Sequence, residues 1–209
     1  MTNQDYTHLA LIVDRSGSMA SIASEVNGAI AELLKEQAAQ PGTIKVDVGT
    51  FDSIIEFVHT DAAPEDVSKE LVQPRGLTAL NDAIGQTIVR MGNKFKTMTE
   101  EERPAHVIIV IATDGMENSS REYSAAQVKA MVTEQTDKWQ WTFIYLAANV
   151  DAFTTGGGYG FGHGQTISVA GTGQSFASAY AGTSNLITRT RSGLSTEYTD
   201  EEREAAGTD

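Results

Sequence analysis

The chain has 209 residues, of which 40% are hydrophobic and 21% are charged, and its formal net charge is −13 at pH 7. This acidic balance argues against a nucleic-acid partner, because phosphate binding needs clustered lysine and arginine. The absence of cysteine excludes disulfides, zinc–thiolate sites and thiol nucleophiles. The sequence contains no signal-peptide pattern and no apolar run long enough to span a membrane, so we expect a cytoplasmic protein.

The first part of the chain alternates between strand and helix patterns. A continuous apolar run at 9–13 predicts a buried strand, and apolar residues at helical spacing over 19–34 predict a helix. Two β-branched segments, 43–51 and 53–59, are separated by hairpin spacing and therefore predict an antiparallel pair. The segment 63–71 has a proline near its start and predicts a short helix.

The same alternation continues to the C-terminal part of the chain. The patterns predict, in order, a helix over 79–95, a strand over 105–114, a helix over 124–139, a strand over 141–148, a flexible glycine-rich loop at 154–164, a strand at 165–169 and a helix over 174–191. We expect one domain over 1–194 and an acidic, flexible tail over 195–209. Strands separated by helices predict a Rossmann-like, doubly wound α/β fold. Its sheet would be mostly parallel, with one antiparallel edge strand and helices on both faces.

Oxygen-bearing side chains follow the predicted parallel strands. Asp14 ends the first strand and Asp114 ends the strand over 105–114. Ser16 and Ser18 follow the first strand, and Thr78 lies in a third loop that can reach the same edge. Ligand sites in open α/β sheets lie at this edge, at the carboxyl ends of the strands. We expect the antiparallel hairpin, at the side of the sheet, to lie away from these loops. Two carboxylates and three hydroxyls are hard donors, which suit Mg²⁺, Mn²⁺ or Ca²⁺ better than zinc.

These three loops resemble the metal motif of the von Willebrand factor A family. The sequence "DRSGSM" at 14–19 matches the family's D-x-S-x-S pattern, "GLT" at 76–78 resembles its second loop, and "ATDG" at 112–115 resembles its third. The second loop has leucine where the family often has glycine, but the threonine is in place. The resemblance spans residues 5–190, nearly the whole chain, and implies the family's fold and a metal-ion-dependent adhesion site.

The resemblance also implies a role for each of the five residues. Ser16, Ser18 and Thr78 would bind the metal through their hydroxyls, and Asp14 and Asp114 would bind it directly or through water. A partner protein would complete the coordination with an aspartate or glutamate. The chain resembles the small cytoplasmic bacterial or phage members of the family, which often work beside an AAA+ ATPase of the MoxR type, so such an ATPase is a partner candidate.

Alternative interpretations remain for several residues. Ser16 and Ser18 are also suited to capping the following helix, and Thr78 to capping the next one. Glu117 and Asn118 are more typical of a solvated loop than of a site's rim. A Mg²⁺-dependent phosphohydrolase with Asp14 as its nucleophile is the alternative function. We nevertheless expect a binding module without enzymatic activity, because no histidine lies beside the serines to act as a base.

Overall fold

The computed structural model describes residues 2–148 and 151–207, and its strands form one six-stranded sheet. The order in the sheet is β3-β2-β1-β4-β5-β6, and every neighbouring pair is parallel except β2 and β3. The strands are β1 (Asn3–Asp14), β2 (Thr43–Phe51), β3 (Ile55–Ala62), β4 (Pro104–Thr113), β5 (Thr142–Ala148) and β6 (Thr166–Val169). The predicted α/β class is therefore confirmed.

Helices cover both faces of this sheet. The α-helices of the described residues are α1 (Ala23–Ala38), α2 (Leu80–Lys96), α3 (Ala125–Trp139), α4 (Ala152–Tyr159), α5 (Gly173–Arg191) and α6 (Asp200–Ala205). Alternate residues of β1 point to opposite faces, so Leu9 and Leu11 join a core with α1 and α5, while Ala10 and Ile12 join a second core with α2 and α3. Burial on both faces explains the continuous apolar run in β1.

The edge hairpin forms as predicted. Val48 and Phe57 belong to the antiparallel pair of β2 and β3, and β3 is the edge strand. The second strand begins at Ile55, because Asp52 turns the chain: its backbone N–H donates to the carbonyl of Ile54 at 3.0 Å, and its Oδ1 accepts from the Ile54 N–H at 3.1 Å. An aspartate that bonds to its own turn is typical of such positions.

The prediction of a helix over 63–71 is wrong apart from one 3₁₀ turn at Pro64–Asp66. Beyond this turn the backbone donors bond to side chains instead of to helical carbonyls. The Oδ1 atom of Asn27 accepts from the N–H groups of Leu71 and Val72, each at 2.9 Å. A side chain on α1 thus competes successfully with local helix formation.

The glycine-rich segment also differs from the prediction, since α4 occupies much of the predicted flexible loop. Asp151 caps this helix by accepting from the Thr154 N–H at 3.0 Å, and the helix ends at Gly160 in the left-handed region. A Cβ at Gly156 would lie 3.1 Å from both Thr166 and Tyr145. Glycine therefore allows α4 to pack closely on the sheet, a tertiary contact that outweighs the low helix propensity of glycine.

The acidic C-terminal segment is folded rather than forming a loose tail. Thr199 caps α6 in a capping box with Glu202, and Glu202 also pairs with Arg189 of α5 at 2.8 Å. The buried Tyr198 shares a 2.6 Å hydrogen bond with the hydroxyl of Thr183. These contacts attach the segment to α5.

Within residues 2–148 and 151–207, none of the helices combines the length and the apolar composition that a membrane span requires.

Candidate metal centre

Two neighbouring strands bring the predicted carboxylates together. Asp14 is the last residue of β1, and Asp114 directly follows Thr113, the last residue of β4. The two strands are adjacent and parallel, with Val13 opposite Ala112. Their carboxyl ends therefore meet at one edge of the sheet, where the chain leaves β1 toward α1 and leaves β4 toward α3.

A continuous series of polar contacts joins the first loop to the third. The Ser16 N–H donates to Asp14 Oδ1 at 2.6 Å, and the hydroxyls of Ser16 and Ser18 lie 3.0 Å apart. The Ser18 hydroxyl then donates to Asp114 Oδ1 at 2.7 Å. One series of hydrogen bonds thus joins four of the five predicted residues.

Thr78 reaches the same group from the loop before α2. A Cβ placed on Gly115 would lie 3.4 Å from the Thr78 hydroxyl oxygen and 3.8 Å from that of Ser18. Both hydroxyls therefore lie beside the Cα of Gly115, at van der Waals distance from the position that a Cβ would take. The structure brings together all five residues that the sequence singled out: Asp14, Ser16, Ser18, Thr78 and Asp114.

The hydroxyls are not used as helix caps. Ser16 precedes a 3₁₀ helix at Gly17–Ser21 but makes no side-chain capping bond to it. The residue that precedes α2 is Ala79, so Thr78 is one position too early to be its N-cap. The alternative interpretation of these residues as caps is therefore wrong.

Asp14 is a fully buried carboxylate at the centre of this group. Burial raises the pKa of Asp14 to about 6, although hydrogen bonds from Thr113 and Ser16 lower it and the nearby Asp114 carboxylate raises it further. The Thr113 hydroxyl donates to Asp14 Oδ2 at 2.6 Å. A buried carboxylate beside a second one is costly to ionise, and a bound cation would remove that cost. The donor set and its electrostatics therefore fit a divalent ion.

Glu117 and Asn118 lie in a loop, as expected, and Asn118 is exposed, but their side chains bond to backbone groups of other loops. The Glu117 carboxylate accepts from the backbone N–H of Asn81 at 2.8 Å and from those of Ser119 and Ser120 at 2.9 and 2.8 Å. Asn118 bonds to the backbone of Thr78 through both its side chain and its N–H. Both residues therefore fasten the third loop to the start of α2.

Asp82 has a larger role than the helix-start preference that its position indicates. One carboxylate oxygen accepts from the Arg121 N–H at 2.7 Å, and the other accepts from the N–H groups of Glu122 and Tyr123 at 2.9 Å each. This side chain on α2 thus holds the segment that follows the third loop. Its partners lie 39 to 41 residues along the chain, too far for any local pattern to indicate them.

The hairpin edge does not lie away from the metal loops, contrary to our expectation from the sequence. Asp52 Oδ2 accepts from Arg15 Nε at 2.9 Å and from Arg75 Nε at 2.7 Å, and Glu56 pairs with the same two arginines. The carbonyl of Asp52 also accepts from the Ala79 N–H at 2.7 Å. The hairpin turn therefore supports two of the three loops.

A second group of potential ligands lies within the sheet, six residues before the end of β1. His8 Nε2 is 3.3 Å from Asp47 Oδ2, and His8 Nδ1 is 3.9 Å from Asp61 Oδ1. Other protein groups already contact these atoms, since Lys94 pairs with Asp61 and the Tyr6 hydroxyl is 3.0 Å from His8 Nδ1. His8 Nε2 and Asp47 Oδ2 are buried and face each other without a well-formed hydrogen bond, so this cluster is a second group that could hold a cation.

Comparisons with known proteins place the fold. No family model matches the sequence, and no curated protein matches it. Among solved structures, the PilB minor pilin from Streptococcus sanguinis superimposes with a TM-score of 0.61 and 11% identity, over 88% of this chain and 61% of that one. A second similar structure is proximal thread matrix protein 1 from the mussel byssus, solved with a zinc-occupied MIDAS motif (the metal-ion-dependent adhesion site). It superimposes with a TM-score of 0.60 and 12% identity, over 88% of this chain and 46% of that one.

A third similar structure is the manganese-loaded TRAP protein of Plasmodium vivax, with a TM-score of 0.53 and 15% identity, over 69% of this chain and 58% of that one. The chain thus spans less than two thirds of the length of each of these proteins. At these identities the likeness establishes the fold alone. The chain has a von Willebrand factor A-type fold, as its three loop motifs implied.

Proposed function

We propose that this chain is a protein-binding module that depends on a divalent metal ion, and that a partner protein completes the metal's coordination with an aspartate or glutamate. One observation carries the proposal: two carboxylates and three hydroxyls converge at the carboxyl edge of the sheet. The residues that would hold the metal are Asp14, Ser16, Ser18, Thr78 and Asp114.

The charges of these donors favour binding of a further anion. Asp14 and Asp114 together offset the charge of a divalent ion, and the three hydroxyls add none. A site with more carboxylates would hold the metal more tightly but would repel an acidic group from a partner. The hard oxygen donors favour Mg²⁺, with Mn²⁺ or Ca²⁺ as alternatives. The metals in the mussel and Plasmodium structures support the presence of a metal here.

The surroundings of Asp14 favour binding over phosphoryl transfer. Its carboxylate is fully buried, and both of its oxygens accept hydrogen bonds, from the Ser16 N–H and from the Thr113 hydroxyl. A nucleophile needs an oxygen that can reach a substrate. We therefore propose no enzymatic activity. An AAA+ ATPase of the MoxR type is the partner class that the family resemblance suggests, and it is to be tested by metal-dependent pull-down.

Metal titration tests the proposal directly. The melting temperature of the wild type in EDTA is compared with that in excess Mg²⁺, Mn²⁺ or Ca²⁺, and binding is measured by calorimetry. A metal at about 100 times its dissociation constant stabilises the native state by about 2.7 kcal/mol, which corresponds to about 5–10 °C for a chain of this size.

Variants make the titration specific to the site. The double variant Ser16→Ala/Ser18→Ala should lose the metal-dependent shift, whereas Ser192→Ala, an exposed serine at the end of α5, should retain it. Equal melting curves in EDTA and in all three metals would refute the proposal, and so would full binding by the double variant. Turnover of a phosphoester with Mg²⁺, lost in Asp14→Asn, would favour the phosphohydrolase instead.

A further inference from the structure

Large apolar side chains stand in solvent around the candidate metal centre. The exposed fractions are 57% for Ile54, 55% for Leu77 and 72% for Met116. Leu77 directly precedes Thr78, and Met116 follows Gly115, whose Cα lies beside the Thr78 and Ser18 hydroxyls. The three side chains are called the apolar rim below. Ile54 follows Ser53, whose hydroxyl accepts from the Leu77 N–H, so the three residues lie on neighbouring turns of the chain. Exposed apolar residues beside a polar site are typical of interaction surfaces.

Hydrogen bonds hold the backbone that carries the apolar rim. The Leu77 N–H donates to the Ser53 hydroxyl at 3.2 Å, and the Ile54 N–H donates to Asp52 Oδ1 at 3.1 Å. The carbonyl of Gly76 accepts from the Gly17 N–H at 3.3 Å. The rim side chains thus extend from anchored turns, which lowers the entropic cost of using them in a contact.

The carboxylates near the apolar rim are turned toward protein donors. Asp52 pairs with two arginines, and the carboxylates of Asp82 and Glu117 accept from backbone N–H groups. The guanidinium of Arg75, which pairs with Asp52, is more than half exposed. Two guanidinium groups therefore compensate the Asp52 carboxylate, and the exposed Arg75 places a positive charge beside this edge, which favours the approach of an acidic group.

We infer that the apolar rim makes this module select an acidic residue that is flanked by apolar side chains on the partner protein. This inference rests on the proposed function. A metal–carboxylate bond alone would accept any exposed aspartate or glutamate, so discrimination must come from the groups beside it. Ile54, Leu77 and Met116 would contact the flanking side chains and exclude water from the bond, which strengthens it.

A displayed peptide library tests this inference. Each peptide carries one fixed central glutamate between randomised positions, is captured on the wild-type chain in Mn²⁺ and is eluted with EDTA. We expect the eluted peptides to be enriched in Leu, Ile, Val, Met and Phe beside the glutamate. A selected peptide should bind Leu77→Ser/Met116→Ser about tenfold more weakly, while the dissociation constant for Mn²⁺ changes less than twofold.

The matched control is Leu194→Ser. Leu194 is also exposed and follows the C-terminal end of α5, which lies away from the carboxyl edge of the sheet, so this variant should bind the selected peptide like the wild type. Eluted peptides without apolar enrichment would overturn the inference, as would equal binding by the rim variant. Bound Mn²⁺ without any EDTA-eluted peptide would also overturn it, whereas absence of Mn²⁺ binding would overturn the proposed function itself.

Discussion

Asn118 forms hydrogen bonds with both backbone polar groups of Thr78, its N–H and its carbonyl. Asn118 Oδ1 accepts from the Thr78 N–H at 2.9 Å, and the Asn118 N–H donates to the Thr78 carbonyl at 3.0 Å. Asn118 follows Asp114 by four residues, so this pair of bonds ties the loop of one proposed metal ligand to the loop of another. The distance between Thr78 and Asp114 should therefore depend on the Asn118 side chain.

Replacing Asn118 should weaken metal binding more than it weakens the fold. In Asn118→Leu the Thr78 N–H loses its acceptor, and a lost hydrogen bond of this kind costs about 1–3 kcal/mol when the donor stays buried. We expect about a tenfold rise in the dissociation constant for Mn²⁺, measured by calorimetry. Asn118→Asp keeps an acceptor oxygen in place and should bind Mn²⁺ at least as well as the wild type. Equal weakening by the two variants would contradict a role for this oxygen.

Asp14→Asn should stabilise the metal-free protein at neutral pH. The pKa of Asp14 is raised to about 6 in the native state, whereas its ordinary value is 3.8. A carboxyl whose pKa is raised by folding does not lower the free energy of unfolding below pH 4, because it is protonated in both states. The destabilisation grows between pH 4 and 6 and is complete above pH 6. A rise in pKa from 3.8 to about 6 corresponds to a free-energy cost of about 3 kcal/mol.

Denaturant unfolding in EDTA measures this effect as the difference in the free energy of unfolding between the variant and the wild type. We expect Asp14→Asn to be the more stable protein at pH 7.5, by up to about 3 kcal/mol, and the difference to disappear near pH 4. The Thr113 hydroxyl lies 3.2 Å from the Gly115 carbonyl and can donate there instead, so the amide fits. A variant that is less stable than the wild type at pH 7.5 would show that the carboxylate is not costly there.

Metal affinity should fall in acid. A proton on Asp14 competes with the metal, so the apparent affinity for Mn²⁺ should be constant above pH 7 and should drop about tenfold for each pH unit below 6. Calorimetry at pH 5, 6, 7 and 8 in buffers of equal ionic strength checks this dependence. An affinity that is unchanged between pH 5 and 8 would mean that Asp14 does not need to ionise for the metal to bind.

The hairpin turn should contribute to the metal site, although it belongs to the edge of the sheet. Asp52→Asn removes the charge that pairs with Arg15 and Arg75 and frees the loops on either side. We expect a lower melting temperature in EDTA together with weaker Mn²⁺ binding. The control Asp66→Asn, at an exposed position in the 3₁₀ turn after β3, should change neither. Wild-type Mn²⁺ affinity in Asp52→Asn would show that this support is structural only.

The five candidate metal ligands could be located from the sequence because their positions follow general rules. A buried strand that ends in aspartate is visible as an apolar run, and parallel strands place their carboxyl ends on one edge. The convergence of Asp14 and Asp114 then follows once β1 and β4 are neighbours. The pattern around Thr78 indicates only a loop that can reach this edge, and the family resemblance is what assigns its hydroxyl to the metal.

The supporting contacts could not be predicted, because their partners are distant in the sequence. Asp82 and Asn118 bond to backbone groups about 40 residues away, and every residue type except proline offers a backbone donor, so the sequence does not indicate these partners.

The helix at Ala152–Tyr159 could not be predicted for a different reason. Its glycines have low helix propensity, and only the packing of Gly156 against Tyr145 and Thr166 explains their presence.

Anomalous diffraction from crystals grown with Mn²⁺ tests the central claim most directly. The account predicts one strong anomalous peak at the carboxyl edge of the sheet, within coordination distance of the hydroxyl oxygens of Ser16, Ser18 and Thr78, and loss of that peak in Ser16→Ala/Ser18→Ala. A structure without a peak there would contradict the account, and so would one whose main peak lies at the buried cluster of His8 and Asp47.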